Sequence, residues 1–221
     1  MKKRIISIVL ALVVLFASTA FAYTDVPSYD AGFEAISMVT NLGLMEGFDD
    51  GSFRPDDTLT RAETAKIFCC ILDIDPVPGI SPFNDIPEDT EGWINAAYAN
   101  GIINGRGDGS FYPDDPAAYE EAIKMIVCAL GDEPEAMKRG GWYIGYVALA
   151  VEYKITNGVG GKVGDSVTRR QFAMLLNNAL EVPIFGSSYQ EGCIVYTVLK
   201  GENLMSIMTE RMNRDAEDNK K

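Results

Sequence analysis

Apolar positions along this chain of 221 residues recur at helical spacing in stretches that are copies of one another. GSFRPDDTLTRAETAKIFCCIL starts at Gly51, GSFYPDDPAAYEEAIKMIVCAL starts at Gly109, 58 positions later, and VTRRQFAMLLNNAL from Val167 repeats only the second half. Each copy reads as a first helix, a turn, a loop and a second helix. In the predicted first helices Ile36, Ile94 and Val147 share one position and Val39, Ala97 and Ala150 another, so every copy has an apolar face. Units of about fifty residues cannot bury such a face alone, so the copies must pack on one another, and three can close a stack. A mainly α fold follows, with any binding site between copies.

The polar positions mark where these helices stop and start. Gly43 and Gly101 occupy the turn, as a left-handed cap requires, but the third copy has Lys154 there, at a strain of about 1 kcal/mol. Gly47, Gly105 and Gly158 follow. The loop from Gly47 to Thr60 and from Gly105 to Ala118 runs 13 positions, against 10 from Gly158 to Thr168, so the third loop is shortened. Phe53 and Phe111 are predicted to plug the core while the flanking acids face water. Thr60 with Glu63, and Thr168 with Gln171, have the spacing of capping boxes. The second copy has Ala118, Tyr119 and Glu121 instead, so its cap is expected to move back to Asp115, with Pro116 opening the helix.

Composition changes the picture at the start of the chain. Lys2, Lys3 and Arg4 precede an apolar run over residues 5–17 and the small-residue site Ala20-Phe21-Ala22, so residues 1–22 read as a secretory signal. Without them the chain carries a net charge of −16, because three of its 19 Lys and Arg go and none of its 32 acids. That acidity argues against nucleic acid and against anionic lipid, and no membrane partner is expected after cleavage. There is no His, which removes most triad and zinc-site chemistry. No cofactor and no metal are expected: Asp49, Asp50, Asp56 and Asp57 lack the ligand order of a calcium loop. Cys70 and Cys128 fall at matching places on apolar helix faces and read as small buried residues. Unpaired thiols in an exported chain suggest a reducing habitat.

Thr60-Arg61-Ala62-Glu63 at a helix start, preceded by DGSFRPDD and by a GLMEG or GIING turn, resembles the surface-layer homology (SLH) domain of bacterial cell-envelope proteins. The likeness extends over three copies and includes the openings Tyr23-Thr24-Asp25-Val26 and Phe83-Asn84-Asp85-Ile86. Copy two and the GGWYIGYVALA after it are similar to variants from Gram-positive anaerobes. The resemblance implies repeats over residues 23–80, 81–138 and 139–185 in a pseudo-threefold helical assembly. It also implies non-covalent anchoring at the cell surface, by binding a pyruvylated secondary cell-wall polysaccharide linked to peptidoglycan. Arg61 and Arg169 would hold the anionic sugar in inter-repeat grooves, helped by exposed helix-start amides, with Trp93 and Trp142 stacking on rings and Gly47 and Gly105 lining the approach. Tyr119 stands where copy two would have its arginine, so one or two grooves are expected to work.

Residues 186–221 are too few for a core of their own. Residues 196–207 resemble the opening of a LysM peptidoglycan-binding module without its second half, which makes the extension a candidate truncated module. The alternative is a short strand and amphipathic helix packed on the third copy. Two further functions compete with anchoring: a structural surface-layer or assembly protein with degenerate grooves, and a wall-glycan hydrolase. No enzyme is expected, because no paired-carboxylate or nucleophile constellation stands apart from the repeats.

Overall fold

The computed structural model describes residues 23–79, 81–190 and 193–218; the expected signal over 1–22 lies outside them. Seven helices come first: α1 (Phe33–Asn41), α2 (Arg61–Ile71), α3 (Glu88–Ala99), α4 (Tyr119–Ala129), α5 (Glu133–Lys138), α6 (Ile144–Glu152) and α7 (Arg169–Ala179). A hairpin of β1 (Pro183–Gln190) and β2 (Cys193–Asn203) and a last helix α8 (Leu204–Asp218) follow, so the fold is mainly α.

The two helices of one copy do not pair with each other. Instead α3 packs on α2, α6 on α4, and α1 reaches round to α7, so each first helix covers the second helix of the preceding copy. The three second helices form the inner layer, where Phe68 and Phe172 meet edge to face at 5.9 Å. The expected apolar face does this work: Ile36, Val39, Ile94, Ala97 and Ala150 are buried, and Val147 packs against the same core.

Main-chain bonds close the ring at three equivalent residues. Leu59 N donates to Val167 O at 3.3 Å, Val167 N to Ala117 O at 2.9 Å, and Ala117 N to Leu59 O at 2.9 Å. One step along, the first amide of each inner helix donates to a loop carbonyl of the next copy: Arg61 N to Asp115 O at 3.0 Å, Tyr119 N to Asp165 O at 2.9 Å, and Arg169 N to Asp57 O at 2.8 Å. The loops therefore cap the helices of neighbouring copies, satisfying amides that no intrahelical carbonyl can reach.

At each intact loop a carboxylate from the opening of the same copy fixes the aromatic plug. Asp25 accepts from Phe53 N at 2.8 Å and Arg54 N at 2.7 Å. Asp85 does the same for Phe111 N at 2.8 Å and Tyr112 N at 2.7 Å. That clamp holds Arg54 and Tyr112 at φ 55° and 59°, in the left-handed region, and Phe53 and Phe111 are fully buried as expected. Lys154 is left-handed too, at φ 61°, where Gly43 and Gly101 stand at 67° and 71°.

Two expectations need correction, and one helix was not expected. Helix α4 starts at Tyr119 with Ala118 as its cap residue, not at Pro116, because the contact from Tyr119 N to Asp165 O and the acceptance of Ala118 N by Glu121 at 3.0 Å fix its register. Helix α5, which the repeat pattern did not announce, fills the step between copies two and three and packs on α6. Cys70 and Cys128 are only half-buried, and it is Cys69 that is fully enclosed. Burial pushes the thiols of Cys69 and Cys128 up to about 12.

The hairpin, which opens at Pro183 within the third copy, and the last helix together pack on all three copies rather than on the third alone. They meet the carboxyl ends of the inner helices, whose last carbonyls lack partners within the helix. Phe185 N donates to Leu130 O at 2.8 Å, Met205 N to Leu180 O at 3.0 Å, and Arg211 Nη1 to Cys70 O. Arg214 pairs with Asp73, and Leu204 and Met208 are buried beneath. The strands run antiparallel, with Phe185 opposite Val198 and Gln190 opposite Cys193, and the register shifts between Pro183 and Phe185.

Candidate functional site: the seams between copies

Each seam brings the start of one inner helix against the loop of the next copy. At the first seam, between copies one and two, Arg61 is buried with its guanidinium 4.5 Å from the centre of the Phe111 ring. Its Nε donates to Phe111 O at 2.9 Å, its Nη2 to Asn104 O at 3.1 Å, and its Nη1 to Glu121. Glu121 thus spans the seam, one oxygen on Arg61 and the other on Ala118 N at the start of its own helix.

The third seam, between copies three and one, repeats this arrangement. Arg169 Nε donates to Phe53 O at 2.8 Å and Nη2 to Glu46 O at 2.6 Å, with Phe53 and Phe48 against its faces. Burial lowers the guanidinium from its ordinary value, and the carboxylates of Glu63 and Asp57 act against that shift. The second seam carries Tyr119, whose ring packs so closely on Gly161 that a Cβ there would lie 2.6 Å from it.

The first seam opens into a groove of about 590 Å³. Its lining combines the charged and polar Arg61, Asn104, Arg106, Glu121 and Lys124, the aromatic Trp142 and Tyr146, Gly105, and the apolar Ile102, Ile103 and Met125. Trp142 is 53% exposed and stands edge to face with Tyr143 and Tyr146. Tyr146 OH donates to Glu133 at 3.0 Å, and Arg106 pairs with Asp115 at 3.0 Å.

Of the six residues singled out from the sequence, the first seam gathers Arg61, Gly105 and Trp142, and the third holds Arg169 and Gly47. Trp93 lies elsewhere, half-buried on α3 with Lys66 Nζ 6.0 Å from its ring centre and its carbonyl accepting from the Cys69 thiol at 3.5 Å. The two glycines serve packing in any case: a Cβ would lie 2.1 Å from Tyr23 at Gly47 and 2.5 Å from Phe83 at Gly105. The expected exposed helix-start amides are a correction, since Arg61 N and Ala62 N donate to Asp115 O and Pro113 O and Glu63 N to Thr60 Oγ1, leaving none aimed at an anion. Lys124 and Tyr146 were missed. Lys124 carries a legible signal, since it matches Lys66 in the repeat, whereas Tyr146 enters the groove only because α6 packs on α4.

A ring of triplicated helix-loop-helix copies with a groove at a seam defines a repeat-built module. The S-layer homology domain model matches residues 22–65 and 82–123, and the chain carries these domains as its first two copies. The chain is 32% identical over 198 residues to a surface layer protein of Brevibacillus choshinensis, covering 82% of this chain and 17% of that protein. It is 32% identical over 176 residues to a middle cell wall protein of Brevibacillus brevis, covering 76% of this chain and 16% of the relative. A third relative, 29% identical over 112 residues, is an endoglucanase of a Bacillus species, of which the match covers 12%. The chain thus spans about a sixth of the first two relatives' length, and it is a cell-envelope protein of the S-layer homology type.

Proposed function

We propose that this chain anchors non-covalently to the cell wall by holding a pyruvylated secondary cell-wall polysaccharide, itself linked to peptidoglycan, in the groove of the first seam. The observation that carries the reading is the convergence of Arg61, Gly105 and Trp142 on one groove about 590 Å³ in size. An exposed indole offers a flat apolar face to a sugar ring, apolar side chains form part of the lining, and three cations border it. No catalytic step is assigned to the chain. Its acidity is no obstacle, since charges farther than about 8 Å from a bound anion are screened at physiological salt.

The test is retention of the chain on purified walls before and after chemical removal of the attached polysaccharide. Anchoring by the polymer requires retention on native walls and its loss on stripped ones. Equal retention on both would mean peptidoglycan binding instead. One observation favours a second reading, in which the repeats are an assembly scaffold that binds no glycan: Arg61 has all three guanidinium nitrogens committed to the next copy, and Tyr119 fills the second seam. Retention on neither wall preparation would favour it.

A further inference from the structure

We infer that Asn157-Gly158, in the turn after α6, is a site of spontaneous modification, where the side-chain amide is lost through a cyclic imide to leave aspartate and isoaspartate. Three Asn-Gly pairs lie in the turns that follow first helices: Asn100-Gly101, Asn104-Gly105 and Asn157-Gly158, the last two at the same repeat position. The reaction is intramolecular. Solvent base takes the amide proton of the glycine, the nitrogen's electron pair attacks the Asn Cγ, and the bond from Cγ to the side-chain nitrogen breaks with release of ammonia. Water then opens the ring, at Cγ to give aspartate or at the main-chain carbonyl to give isoaspartate, so one water is consumed and nothing is oxidised. The fold must therefore leave the glycine nitrogen without an acceptor and the Asn side chain free to reach it.

The first two pairs fail these conditions. Asn100 Nδ2 donates to Ala96 O at 2.9 Å, and Gly101 N donates to Tyr98 O at 3.0 Å. The Asn104 amide is held at both ends, its oxygen accepting from Lys124 Nζ at 2.7 Å and its nitrogen donating to Ile103 O at 3.0 Å. Gly105 is also wedged, since a Cβ there would lie 2.5 Å from Phe83 and 2.8 Å from Ser110 O. The Asp-Gly pairs, which close the same ring more slowly, are tied as well: Asp50 accepts from Ser52 N at 3.0 Å and Asp108 from Ser110 N at 2.9 Å.

Asn157 differs on each count. It and Gly158 are exposed, and nothing lies within 4 Å of a Cβ built on Gly158. Among the described residues the Asn157 side chain has no hydrogen-bond partner and Gly158 N has no acceptor. Asn157 lines an open cleft of about 480 Å³ with Lys154, Asn178 and Glu181, so water has access. Only its main chain is fixed, with N donating to Lys154 O at 3.1 Å and O accepting from Asn178 Nδ2 at 2.9 Å. Aspartate would add a negative charge to the cleft that holds Glu181. Isoaspartate would do more, because it turns the carbonyl held by Asn178 into a free carboxylate and routes the chain through the former side chain.

The experiment incubates the full chain, warm and at mildly alkaline pH, folded and in urea, and follows the change from amide to acid at each pair by peptide mass mapping. In the folded chain Asn157 should lose its amide about tenfold faster or more than Asn100 and Asn104. In urea the three rates should converge, because the dipeptide is the same and the hydrogen bonds are gone. Asn157→Gln should silence the position, since its longer side chain closes the ring poorly. Equal rates in the folded chain, or faster loss at Asn100 or Asn104, would overturn the assignment. A lead for Asn157 that persists undiminished in urea would overturn it too, by tracing the lead to local sequence instead of the fold.

Discussion

A single side chain in the left-handed region tests the repeat at its smallest scale. Lys154 stands at φ 61° in the turn where the other copies use glycine, and a Cβ there crowds its own backbone. Lys154→Gly should raise stability by about 1 kcal/mol, read as a shift of the denaturation midpoint at constant slope. Both the position and its strain were legible, because three aligned copies show which residue departs from the rule. The arginines were legible only in part. Their place at a seam follows from the helix-start motif, but their burial under Phe111 and Phe53 does not, because it depends on the next copy's loop folding over them. Gly47 and Gly105 teach the same lesson: the sequence marks them as special, and the reason, contact with Tyr23 and Phe83, is tertiary.

Helix boundaries were legible where side chains set them and misread where neighbouring copies did. Thr60 and Thr168 complete their boxes as expected, accepting from Glu63 N at 3.1 Å and Gln171 N at 3.2 Å. In copy two the reciprocal half of the box is present, from Ala118 N to Glu121 at 3.0 Å, and only the hydroxyl is lacking. Ala118 already has the extended conformation of a cap residue, at φ −75° and ψ 152°. Ala118→Thr should therefore stabilise the chain by about 0.5–2 kcal/mol, and Thr60→Ala should cost a similar amount, both measured by thermal or denaturant unfolding. Helix α5 escaped notice because its six residues have no counterpart in the other copies.

At the scale of the whole molecule the sequence announced three copies packed on one another, but not which helix meets which. Exchange of partners around the ring, with α1 on α7, depends on closure and so on residues far apart in the chain. The hairpin and last helix were the least legible part, since their role lies in meeting Leu130, Leu180 and Cys70 at the ends of three different helices. If they are integral, Leu204→Ala should destabilise the entire ring by about 2–5 kcal/mol in one cooperative transition. A module hanging free would melt separately and leave the main transition where it was.

The bonds among Leu59, Ala117 and Val167 are made by peptide groups, which are chemically the same whatever side chain they bear. Assembly of the trimer-like core is therefore indifferent to what each junction displays on its outer side. One junction can keep a recess, another can be blocked by a tyrosine, and the third can hold an arginine under a phenylalanine, all without disturbing the triangle at the centre. Such a molecule can retire or re-tool its junctions one at a time, and its three parts, begun alike, are free to grow apart.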